Sequence, residues 1–393
     1  LLEMCFPNRK GGVQLLGGAF PVHDPVRLLF SEQPSIVIQV KNLEAVETIL
    51  QRDEITYYIA GKPISERTLR IEWGDKKDVF DIDALRDQWY HSSYLLDRKQ
   101  SGPDLALERY RNYSKQPLEF RFPGSFSGLF SSVGIDPGVR RHKAVKAAII
   151  REKGVNGDRE MAYALYLAGF EVKDVHMTDL IAGREDLSDV NMMVFVGGFS
   201  NSDVLGSAKG WAGAFLYNPL AKKALENFYK RKDTLSLGVC NGCQLMMELD
   251  LIYPERKDHP KMHLNRSGKF ESGFIGVDIL PNRSVMLSSL AGSRLGVWVA
   301  HAEGRFELSE SLDQYQVPLV FAYQDYPANP NGSPAGIAAM CSEDGRHLAM
   351  MPHLERAFLP WQWPHYPDGR KGDEMTPWLE AFANAREWIK NAR

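Results

Sequence analysis

Residues 236–250 read SLGVCNGCQLMMELD, an apolar run broken by a cysteine between two glycines and resumed at once with helical spacing. This pattern predicts a strand that turns sharply into a helix, with Cys240 at the bend and lifted above the sheet edge. Gly238 and Gly242 remove side chains that would collide as the backbone reverses. Cys240 itself is expected in a strained conformation of the kind kept at functional sites. The helix N-terminus beneath it favours the thiolate over the thiol, and the amide of Asn241 is free to face an oxyanion. Two plainer readings compete. Cys240 could simply pack in a core, or Cys240-Asn-Gly-Cys243 could be a redox or zinc pair. No second C-x-x-C accompanies it. Cys243, about one turn into the helix, reads as packing.

The surrounding pattern fits a strand-to-helix bend in an α/β fold. After Arg141, strands are expected at 144–150, 171–176, 192–196 and 234–239, with helices at 156–168 and 211–229 between them. Alternation of this kind implies a mostly parallel sheet flanked by helices. Later strands at 274–279, 297–300, 319–323 and 347–351 extend the sheet or form a hairpin beside it. A last helix begins at Thr376-Pro377, a cap followed by the position that tolerates proline. Upstream, runs at 35–40 (SIVIQV) and 55–60 (ITYYIA) read as strands around a short helix at 43–50. Residues 78–141 are polar and aromatic and read as a partly helical connector.

With 44% hydrophobic and 25% charged residues, this is the composition of a folded protein. A formal charge of −3 gives no basic surplus for nucleic acid. No apolar run approaches the ~18 residues that span a bilayer, and the first residues, LLEMCFPNRK, lack a signal-peptide pattern. Four cysteines are too few for a disulfide framework in 393 residues. A cytoplasmic protein without nucleic-acid or membrane partners is expected. The first residue is not methionine, and the opening reads like the middle of a domain, so a piece of a longer chain is also expected.

A nucleophilic thiolate needs a base, and the base an orienting group. The segment Met351-Pro-His-Leu-Glu-Arg356 offers His353 and Glu355 two residues apart, a spacing that puts both side chains on one side of an extended segment. Standing alone, the pair would read more readily as a surface His and Glu. Gly197-Gly198-Phe199, after an apolar strand, places bare backbone at the carboxyl edge of the sheet, where its amides could complete an oxyanion hole. Gln244, one turn beyond Cys240, could reach a substrate or merely be solvated.

Together these motifs resemble the class I, or triad, glutamine amidotransferase domain over residues 143–393. Ile150-Arg-Glu-Lys-Gly-Val-Asn-Gly157, Gly197-Gly-Phe-Ser200, Gly238-Val-Cys-Asn-Gly-Cys-Gln244, Tyr326-Pro-Ala-Asn-Pro-Asn-Gly-Ser-Pro334 and Met351-Pro-His-Leu-Glu-Arg356 are more closely similar to the phosphoribosylformylglycinamidine synthase family. The resemblance implies a flavodoxin-like α/β domain at 143–393, a connector at 63–142, and at 1–62 the α+β tail of an aminoimidazole-ribotide-synthetase-like domain. It implies a Cys240–His353–Glu355 triad that hydrolyses L-glutamine through a thioester. An oxyanion site around Gly197, Gly198, Phe199 and Asn241 is implied, with Gln244, Asn265 and Phe270 holding glutamine. No cofactor or metal ligand is implied within this chain. ATP and Mg2+ belong to the synthetase portion, the implied partner, which acts on formylglycinamide ribonucleotide. One departure is Leu354, where the family usually has proline between the triad His and Glu. Two other functions stand beside the glutaminase: a docking piece whose glutaminase is silent, and another cysteine hydrolase, such as a peptidase, on the same sheet.

Overall fold

A computed structural model of the chain describes residues 1–22, 24–139 and 145–392. The boundary expected at 142/143, and the expected strand start at Ala144, lie outside the described residues. The chain divides into two units, Leu1–Gln100 and Ser101–Arg393.

In the first unit, helices α1 (Leu2–Cys5), α2 (Pro25–Leu29), α3 (Leu43–Arg52) and α4 (Ile82–Gln100) accompany strands β1 (Gly12–Leu16), β2 (Gly61–Ile64), β3 (Thr68–Trp73) and β4 (Lys76–Asp81). The strands form one sheet in the order β2-β1-β3-β4. The buried cluster beneath it is small, with Leu69, Ile71 and Ile82 at its centre. Helix α3 covers the expected 43–50, and the Asn42 side chain caps it by accepting from Ala45 N at 3.1 Å. The expected strands at 35–40 and 55–60 are not strands. β-prone side chains do not make a strand without a neighbouring ladder to pair with, and Ile36 is 91% exposed. The β-structure is carried instead by the less apolar 61–64, 68–73 and 76–81.

The second unit opens with α5 (Pro103–Asn112) and then alternates: β5 (Lys146–Arg151), α6 (Asp158–Leu167), β6 (Glu171–His176), α7 (Met177–Ile181), β7 (Met192–Phe195), α8 (Lys209–Tyr217), α9 (Pro219–Lys230), β8 (Leu235–Val239) and α10 (Asn241–Glu248). Strands β9 (Lys261–His263), β10 (Glu271–Ile279), β11 (Arg294–His301), β12 (Arg305–Glu307), β13 (Gln316–Phe321), β14 (Ile337–Cys341) and β15 (His347–Met350) follow, and α11 (Pro377–Ala392) comes last. Nine strands form one sheet in the order β11-β10-β13-β14-β15-β8-β7-β5-β6. From β15 to β6 all pairs are parallel. From β11 to β15 all are antiparallel. The parallel strands β7 and β8 are buried at every residue, as a sheet covered on both faces requires.

Two departures from the expected elements have a plain physical cause. The single helix at 211–229 is two helices, because Pro219 cannot donate into a continuing helix. Asn218 ends α8 and caps α9, accepting from Leu220 N and Ala221 N at 3.0 and 2.9 Å. Strand β14, IAAMC, was not anticipated: its alanines carry little β-propensity, yet it is wholly buried between β13 and β15.

Candidate active site

The bend at Cys240 forms between β8 and α10. Cys240 has φ 53° and ψ −107°, a region that side chains rarely adopt. Strand pairing enforces it, since β8 lies parallel to β15 and Cys240 N donates to Met350 O at 2.9 Å. The flanking glycines have no alternative. A Cβ on Gly238 would stand 2.5 Å from Gly242 O, and one on Gly242 would stand 2.0 Å from Phe195 O.

His353 follows β15, which pairs directly with β8, so the two segments end side by side. The antiparallel half of the sheet curls back over this edge. His353 N donates to Trp298 O of β11 at 2.8 Å, and Cys240 Sγ lies 3.5 Å from Ala300 O. A Cβ placed on Gly197 would be 2.7 Å from His353 Cε1 and 3.3 Å from Cys240 Cβ, so the ring and the cysteine meet across bare backbone. His353 Nδ1 and Glu355 Oε1 are 2.6 Å apart, with both residues buried. The geometry behind that contact is not the extended one expected. Residues 354–356 form a turn of 3-10 helix, and Leu354 is buried at its start. Burial alone would lower the His353 pKa. The Glu355 carboxylate, and after it Cys240, outweigh burial and hold the pKa above its ordinary value. Among the described residues His353 Nε2 has no hydrogen-bond partner, and it remains available to the thiol.

Cys243 is fully buried, and burial followed by the charge of Cys240 pushes its thiol pKa well up. It is therefore a packing residue, not a second reactive thiol.

Of the backbone donors expected at the oxyanion, Asn241 N and Gly198 N have no hydrogen-bond acceptor among the described residues, and Phe199 N is spent. Asn241 N begins α10 and has no intrahelical acceptor. Gly198 sits in an antiparallel bridge with Val155 as a non-hydrogen-bonded pair, so its N–H turns away from that neighbour. Phe199 N, however, donates to Gly154 O at 2.9 Å, and Gly197 contributes its carbonyl to Asn156 N and Gly157 N. The residues expected to hold glutamine divide in the same way. Gln244 is buried with both ends of its amide engaged: it accepts from Asn241 Nδ2 at 2.9 Å and donates to Glu303 O. Asn265 is likewise internal, donating to His301 O at 2.8 Å and accepting from Gly304 N at 3.0 Å. Phe199 and Phe270 are half-exposed, with ring centroids 6.0 Å apart.

The turn at 300–304 escaped the sequence reading. It brings Ala300 O to Cys240 and Glu303 O to Gln244, and it carries His301, which is buried with neither ring nitrogen hydrogen-bonded. Burial, and then the charge of His353, push the His301 pKa down to about 4, so the ring is neutral. A histidine closing an apolar strand, three residues before a glycine, was the available signal.

Comparison with known proteins gives the family. Residues 144–389 match the model of the CobB/CobQ-like glutamine amidotransferase domain. Over 99% of its length the chain is 39% identical to a protein of Arabidopsis thaliana named probable phosphoribosylformylglycinamidine synthase, chloroplastic/mitochondrial. It is 37% identical to the Dictyostelium discoideum phosphoribosylformylglycinamidine synthase over 92% of its length, and 38% identical to that of Homo sapiens over 99%. The chain spans 29 to 31% of the length of these relatives. No helix among the described residues is long and apolar enough to cross a membrane. With a domain match covering well over half its residues, the chain belongs to the CobB/CobQ-like glutamine amidotransferase family.

Proposed function

We propose that this chain is the glutaminase part of a phosphoribosylformylglycinamidine synthase. It releases ammonia from L-glutamine for the ATP-dependent conversion of formylglycinamide ribonucleotide to its amidine. The observation that carries the reading is the buried His353–Glu355 pair, 2.6 Å apart, with His353 Nε2 unspent beside the strained Cys240. The names of the relatives, which are similar to this chain over 99% of its own length, support the pathway.

In this reading the Cys240 proton passes to His353, whose raised proton affinity favours that step, and Sγ attacks the side-chain amide carbon. Gly198 N and Asn241 N receive the oxyanion, with the Gly197 and Phe199 backbone shaping the loop around it. His353 then gives its proton to the departing nitrogen, leaving ammonia and a glutamyl thioester. The now neutral ring takes a proton from water, hydroxide attacks the thioester carbon, glutamate leaves, and the proton returns to sulfur. Glutamine and water become glutamate and ammonia. Gln244, Asn265 and Phe270 line or support the glutamine site.

Residues 143–393 form the glutaminase domain in this proposal, 63–142 the connector, and 1–62 the tail of a synthetase domain. ATP and Mg2+ act in the synthetase portion, which shares the longer chain, and the enzyme works in the cytoplasm. Glutamine hydrolysis by this chain tests the reading. Weak turnover that disappears in Cys240→Ala is expected, with a glutamine-shaped electrophile labelling Cys240. Robust turnover unchanged in Cys240→Ala, or labelling at Cys243 instead, would refute it.

A further inference from the structure

Helix α5 is the first element of the second unit, more than 100 residues from Cys240 in sequence. Its side chains nevertheless grip the segments that build the site. Glu108 accepts from Tyr326 N at 2.9 Å with one carboxylate oxygen and pairs with the Arg266 guanidinium through the other. Asn112 Nδ2 donates to Tyr326 O at 2.9 Å. Arg266 N in turn donates to Asn331 O at 3.0 Å, and Asn331 Nδ2 donates to Gly304 O at 2.6 Å. Asn265, next to Arg266, holds the same turn from the other side through His301 O, Ala302 O and Gly304 N. The turn so anchored supplies Glu303 O to Gln244. A chain of hydrogen bonds therefore runs from one carboxylate on α5 to the side chain one helical turn beyond the nucleophile.

We propose that Glu108 is a positioning residue for glutamine binding. By holding Tyr326 and Arg266 together, it sets the 300–304 turn and, through that turn, the side chain of Gln244. The triad is anchored outside this chain of contacts, apart from the 3.5 Å approach of Cys240 Sγ to Ala300 O at the start of the turn. His353 is placed by β15, by Trp298 O and by Glu355, and Cys240 is placed by β8. Loss of Glu108 should therefore weaken substrate binding more than it slows the chemical step, a division that general loosening of the fold would not produce. The inference rests on the glutaminase reading above.

The experiment compares wild type, Glu108→Ala, Glu108→Gln and Arg266→Met by glutamine hydrolysis and by concentration-dependent labelling of Cys240 with a diazoketone analogue of glutamine. In Glu108→Ala the KM and the half-saturating analogue concentration should rise about tenfold, with kcat and the limiting labelling rate within about twofold of wild type. Arg266→Met should show the same signature. Glu108→Gln, whose amide oxygen can still accept from Tyr326 N, should fall between. Unchanged half-saturation in Glu108→Ala, or a matched fall in kcat and melting temperature that the glutamine variant does not relieve, overturns the inference while leaving the glutaminase reading intact. A wild-type chain whose Cys240 takes no label at all overturns the glutaminase reading and this inference with it.

Discussion

His353 is the most tightly held titratable group of the site. Its ring is buried against a buried carboxylate, with one nitrogen committed to Glu355 and the other unpartnered. Replacing Glu355 with Gln keeps the shape and removes the charge that holds the imidazolium. This should destabilise the second unit by about 3 kcal/mol, the scale of breaking a buried ion pair. It should also cut Cys240-dependent turnover by at least ~10²-fold. The pH dependence has a definite sign. The folded-state pKa of His353 lies above its unfolded value of 6.5, so the pair's contribution is fully present below about pH 6.5 and is lost as pH rises through the raised folded value. Melting temperatures of wild type and Glu355→Gln should therefore converge as pH rises above neutrality. A gap that stays constant from pH 6 to pH 9 would show that the pair contributes no such coupling.

At the scale of elements, the break between α8 and α9 shows how one residue pair overrides helical periodicity. Pro219 stops one helix and Asn218 starts the next, its side chain meeting two free amides. Asn218→Ala should cost about 1 kcal/mol, the usual worth of an N-cap, and denaturant unfolding of the second unit measures it. Labelling of Cys240 should be unaffected, because α9 carries none of the site residues. The bend at Cys240 is an element of the opposite kind, tolerating no substitution at its glycines. Gly242→Ala would drive a Cβ into Phe195 O. It should abolish Cys240 labelling or folding altogether, and a soluble, fully reactive variant would contradict the packing described.

At the scale of the whole molecule, the two units are unequal. The second is built on a sheet of nine strands with a continuous buried cluster from Phe126 to Ile389. The first, among the described residues, buries three hydrophobic residues beneath four strands. Since stability scales with buried apolar area, heating should melt residues 1–100 at a lower temperature than residues 101–393. Scanning calorimetry, with hydrogen exchange to assign the transitions, tests this. A single transition that protects both units equally would refute it.

Reading the chain from sequence succeeded where cause and effect lie close together. Gly238, Cys240 and Gly242 are neighbours whose sterics dictate a bend, and alternating apolar runs with capped helices dictate parallel strands around it. The His353–Glu355 contact was anticipated, though a 3-10 turn and not an extended strand delivers it. The runs at 35–40 and 55–60 misled because a strand is defined by its neighbour, and no local property names one. The alanines of β14 were passed over for the converse reason: burial between two ladders makes a strand of residues with little preference for it. That Phe199 N is spent on Gly154, that Gln244 and Asn265 face inward, and that the 300–304 turn frames the site all depend on hydrogen bonds spanning tens of residues. Sequence alone determined the bend at Cys240, because backbone sterics act between adjacent residues. Only the tertiary structure decided which amides remain free and which side chains are spent, because that depends on which distant segments the sheet brings into register.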